Sequence, residues 1–103
     1  MGKDDLEAEF QTRAVRQGGV LLFAARDALD MIARAREENV PILGIDGFEV
    51  VAGAIRPSLE YLADFSSGVE RGDGCWLDAR NFVEEYRFAG LLFEIVLGSA
   101  VAV

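Results

Sequence analysis

Carboxylates, a single thiol and the complete absence of imidazole set the chemical limits of this chain. With no histidine anywhere, Ser-His, Cys-His and His-metal arrangements are excluded, together with the commonest general base at neutral pH. Cys75 follows Gly74 at the predicted start of a helix. Its thiol would become a nucleophile only if a helix N-terminus or a neighbouring arginine lowered its pKa, and with no base to relay a proton it reads as inert. Asp46, Asp64, Asp73 and Asp78 carry the oxygen ligands that Mg2+ and Ca2+ prefer. However, "DFSSGVERGDG" lacks both the alternating acids and the closing glutamate of a calcium loop, so no metal site is expected. The glycines of "GIDGFEVVAG" and "GVERGDG" have neither the spacing nor the lysine of a phosphate-binding loop. The sequence implies no cofactor, and an enzyme built on Asp46 and Asp64 ranks third among its readings.

The elements that must position these groups belong to one domain. At 103 residues a second core is not expected, and a 51% hydrophobic content separates the chain from disordered sequences. Residues 1–19 read as an N-terminal arm or short helix with Asp4 or Asp5 as N-cap, residues 20–98 as the domain, and residues 99–103 as a tail. Gly18-Gly19 breaks any helix leading out of the arm. From residue 20 to 38 the pattern predicts a long helix, with Leu22, Ala25, Leu29, Ile32 and Ala33 inward, an Asp30–Arg34 pair outward and Asn39 as the stop.

In the apolar run "VPILGIDGFEVV", Asp46-Gly47 reads as a hairpin turn between two short strands, or as a bulge in one strand. For residues 55–65 the alternation favours a strand with Pro57 at an edge, over a helix opening at Pro57. Residues 66–74 form the clearest loop. A helix led by Trp76 then runs to Gly90, and "LLFEIVLG" closes the order as a strand apolar on both faces. The expected fold is α+β, with two main helices packed on a small, largely antiparallel sheet in the order helix, two or three strands, helix, strand.

Charge narrows the partners. Residues 1–40 hold six basic and eight acidic residues, and residues 41–103 hold four basic and ten acidic. The acidic field of the second part repels phosphate backbones, so nucleic acid is not expected, whereas a cationic protein would be steered in. No apolar run approaches the ~20 residues of a membrane span, and the terminal run carries Glu94. The lone cysteine and the absence of a secretory signal in residues 1–19 suggest the cytoplasm. Asp46, Phe48, Glu60, Tyr61, Asp64, Asp73, Trp76 and Glu84 are therefore candidate partner contacts: aromatic anchors with an acidic rim. A homodimer paired through residues 91–97, with Leu91 and Leu97 at its ends, is the alternative.

"NVPILGIDGFEV", "RPSLEYLADFSS", the Trp-led "WLDARNFVEEY" and the terminal "FEIVLG" together resemble small bacterial immunity-type proteins of polymorphic toxin systems, in style and order of elements over about residues 20–98. The resemblance implies stoichiometric inhibition, in which a compact acidic protein docks on a cytotoxic domain and occludes its active site without doing chemistry. It assigns no residue a proven contact.

Overall fold

The computed structural model describes residues 2–99, so residues 100–103 of the expected tail lie outside the described residues. Helix α1 spans Lys3–Phe10. Its N-cap is Gly2, whose N–H donates to Asp5 at 3.2 Å, so Asp5 reaches back from inside the first turn instead of serving as the cap itself. Leu6 and Phe10 are buried in the main core. A single 3-10 turn leads to strand β1, Val15–Gln17, which pairs antiparallel with β2, Val20–Leu22.

The predicted long helix is thus corrected at its start. Gly18 and Gly19 have φ of 56° and 83°, the left-handed pair that a two-residue hairpin needs, and they fold Val20–Leu22 back on β1. Helix α2 begins only at Ala25 and runs to Glu37. It buries Ala28, Met31, Ile32 and Ala35, a three- and four-residue stripe, while Leu22 belongs to the strand and Ala33 is exposed. Asn39 stops the helix as expected: at φ 58° it lets Val40 N–H reach Ala35 O at 2.9 Å and its own N–H reach Arg36 O at 3.2 Å. The expected Asp30–Arg34 pair does not form. Arg34 instead binds Glu9 of α1 at 3.0 Å with Glu37 and Glu38, and Asp30 binds Arg13, so both arginines tie the N-terminal segment to α2.

Strand β3, Ile42–Val51, is continuous, and it pairs with β4, Ala54–Asp64. Asp46-Gly47 is not a hairpin turn. The turn lies at Ala52-Gly53, with φ of 50° and 81°. Gly47 answers a different need, because a Cβ there would meet the Cβ of Tyr61 at 2.6 Å. The ladder is interrupted at this point: between the pairs Asp46/Leu62 and Phe48/Pro57, residues 58–61 of β4 face Gly47 alone. Residues 55–65 are strand almost throughout, and β4 is an edge strand, the place Pro57 requires.

The expected loop at residues 66–74 contains a short helix α3, Ser66–Glu70. Helix α4, Trp76–Tyr86, follows, and β5, Leu92–Leu97, completes the sheet in the order β4-β3-β5. Beyond β5, Phe23 and Phe93 exchange two 2.8 Å backbone hydrogen bonds, which dock the β1-β2 hairpin on the main sheet. The result is an α+β fold whose helices α2 and α4 bury one sheet face. Ile45, Phe93, Ile95 and Leu97 meet Met31, Ile32, Ala79 and Val83 there, and Phe82 stands edge-on to Phe93 at 6.4 Å. Among the described residues no helix is long and apolar enough to cross a membrane.

Candidate functional site

Alternation along a strand sends every second side chain to the opposite face. Because Ile45, Phe93 and Ile95 point into the core, the paired positions Gly44/Val96, Asp46/Glu94 and Phe48/Leu92 stand on the face turned away from α2 and α4, joined by Leu62 and Asp64 of β4. This face is the site of interest. It is mixed in character: Leu62 is 48% exposed, while Phe48, Leu92 and Val96 are half-buried.

Asp46 and Glu94 sit directly opposite one another on adjacent antiparallel strands, an arrangement that is destabilising for like charges. Burial raises the Glu94 pKa above its ordinary value, and the Asp46 carboxylate beside it and the charge of Glu7 on α1 raise it further. Asp64 behaves oppositely. Its Oδ1 accepts the Ser66 hydroxyl at 2.6 Å and the Ser66 backbone N–H at 2.9 Å, and these bonds lower its pKa, the hydroxyl most. Asp64 is therefore a firmly ionised carboxylate, whereas Glu94 is shifted toward its protonated form.

A depression of about 410 Å³ lies over Gly44, between Asp46 and Asp64. Gly44 has no side chain to fill it, and a Cβ there would come within 2.6 Å of Ala63 O, so the close approach of β3 to β4 demands glycine. Leu43, Leu62, Ala63 and Val96 form its apolar walls, and Asp46, Asp64 and Ser66 its polar rim. No cation lines it. A separate cleft of about 230 Å³ opens where β2 parts from β5 beyond Phe93, with Lys3, Glu7 and Glu94 among its lining residues.

The candidates read from the sequence divide accordingly. Asp46, Phe48 and Asp64 share the open face, and Glu60 is exposed on the interrupted stretch of β4. Tyr61 turns the other way, stacking edge-on against Tyr86 at 5.0 Å. Trp76 is a structural anchor: its indole N–H donates to Val40 O at 2.8 Å, and its ring lies so close over Gly74 that a Cβ there would meet it at 2.3 Å. Glu84 is paired with Arg87 at 3.1 Å on the outer face of α4.

Asp73 accepts the Cys75 backbone N–H at 2.8 Å. The donor atoms of Asp73, Cys75 and Asp78 lie within 4.8 Å of one another, but burial, reinforced by the two aspartates, raises the thiol pKa. The thiol itself is directed at Phe65 O, 3.4 Å away. A protonated, enclosed thiol is a poor nucleophile and a poor metal ligand.

Reasoning from sequence missed Glu94, Leu62 and Val96. Glu94 had a visible signal, as the one acid inside the otherwise apolar closing strand. No protein-family model matches the chain, and no curated protein matches it significantly.

Proposed function

We propose that this protein is a non-enzymatic binding module whose acidic sheet face receives a cationic protein partner, in the manner of an immunity-type inhibitor that covers the active site of a toxin domain. One observation carries the reading. The face turned away from α2 and α4 combines accessible aliphatic side chains with Asp46, Asp64 and Glu94, and its central depression is lined by no cation. Apolar area with a complementary charged rim is the composition of a protein interface, and an acidic field favours a basic partner. The chain has no histidine and its one thiol is held protonated by burial, so any general base here would have to be a carboxylate.

The test is affinity purification of tagged protein from the source organism's lysate. A specific partner retained at low salt, released at high salt and lost with Asp46→Asn/Asp64→Asn supports the reading. Salt-insensitive capture unaffected by that double variant, or turnover of a small molecule by the purified protein, overturns it.

A second reading, self-association into a homodimer, draws on the free edge of β4 and on Leu59, which is 87% exposed within its interrupted stretch. Residues 91–97 are less suited to that role, because β5 lies between β3 and the docked hairpin. A concentration-independent monomer mass in analytical ultracentrifugation removes this alternative.

A further inference from the structure

We infer that the depression over Gly44 is the anchor pocket for one arginine side chain of the partner; the inference rests on the proposed binding face and specifies how that face is read. Three features of the depression match an arginine. Its walls, Leu43, Leu62 and Val96, are aliphatic, suited to the methylene stem that a basic residue buries while its head stays polar. Its rim presents Asp46 and Asp64 from adjacent strands, two acceptors for a planar group with five donors. Ser66 engages Oδ1 of Asp64 twice, which orients the carboxylate and leaves Oδ2 to an incoming donor.

Charge complementarity fixes the sign of the occupant. The lining holds two carboxylates and no cation, and Glu94 stands beside Asp46 across the ladder. An anion would be repelled, and a neutral aliphatic side chain would leave both rim carboxylates without a new partner. A guanidinium is also more weakly hydrated than an ammonium and meets carboxylates in a fixed fork, which favours arginine over lysine at a half-buried site. The shape of the pocket is set by the backbone, since Gly44 accepts no side chain without moving β4.

The direct experiment titrates n-butylguanidinium into the full chain and follows the methyl resonances of Leu43, Leu62 and Val96 by NMR, with n-butylammonium as the comparison. The expected result is a saturable shift confined to those methyls, weaker for the ammonium and weakened about tenfold by Asp46→Asn or Asp64→Asn, the loss expected for one charge-assisted hydrogen bond. Absence of saturable shifts, or shifts unchanged in both variants, overturns the inference. Val96→Phe and Leu62→Phe fill the depression without altering charge, and the two are compared so that a folding defect in one does not decide the matter. If a captured partner is lost with Asp46→Asn/Asp64→Asn yet retained by both filling variants, the binding face stands and the anchor falls. Loss with folded filling variants as well supports both. Retention by all the variants overturns both.

Discussion

The two faces of the β4-β3-β5 sheet are built from alternate residues of the same strands, yet they obey different rules. On the helix-bearing face, Ile45 and Phe93 are fully buried, and Ile95 and Leu97 are exposed by only 7% and 5%. On the other face the same strands place Asp46 against Glu94 and leave Leu62 half-exposed. The first arrangement gains stability from burial at about 25 cal/mol per Å² of apolar surface. The second sets like charges side by side, which costs stability. The open face therefore gives up some of the stability that the core face supplies.

Four substitutions sharpen or break this contrast. The largest effect belongs to the core face: Phe93→Ala removes the ring that packs on Phe82 and is expected to cost about 4 kcal/mol, read as a drop in the urea midpoint. Next is Gly47→Ala, whose new methyl must displace Tyr61; a loss of about 2 kcal/mol in the same measurement is expected.

Glu94→Gln should act in the opposite direction, stabilising the protein by about 0.5 kcal/mol at pH 7 because it removes a partly buried charge and relieves a like-charge pair. The pH dependence has a defined sign. The folded pKa of Glu94 lies above its ordinary value of 4.5, so its ionisation destabilises the fold as pH rises through that interval. The gain from glutamine should therefore vanish below pH 4.5 in thermal melts, and a gain that persists there would remove ionisation of Glu94 as its source. Smallest is Leu62→Ser, which should change stability by less than about 0.5 kcal/mol while weakening the binding of n-butylguanidinium. A large loss of stability would mean that the open face is structural after all.

Much of the framework was legible in the sequence. The existence and C-terminal end of α2, the Trp-led helix, the strand over most of residues 55–65 and the edge position demanded by Pro57 each follow from local periodicity, a stop signal or a missing backbone N–H. Of the stripe predicted for α2, by contrast, only Ile32 is fully buried on that helix. Glycine-containing pairs were the hardest to read. Gly18-Gly19 looked like a helix break but is a hairpin turn. Asp46-Gly47 reads as a hairpin turn or as a bulge in one strand; the hairpin is wrong, and the register shift between Asp46 and Phe48 fits the bulge, where glycine makes room for Tyr61. The actual turn, Ala52-Gly53, carries a weaker local signal. Asp46 and Asp64 were singled out in advance, but their neighbours Glu94 and Val96 come from a strand thirty or more residues further along the chain, which no local pattern connects to them.

The sequence by itself determined that no imidazole chemistry is available, that two main helices form and that the chain is acidic, because residue type and spacing act through the nearest turns of the chain. Only the tertiary structure decided which glycines turn the backbone and which merely admit a neighbour, and which carboxylates share a face. A glycine has no side chain to declare its role, and the charge on a sheet face depends on the register of strands far apart in sequence, which is settled by the packing of the opposite face against α2 and α4.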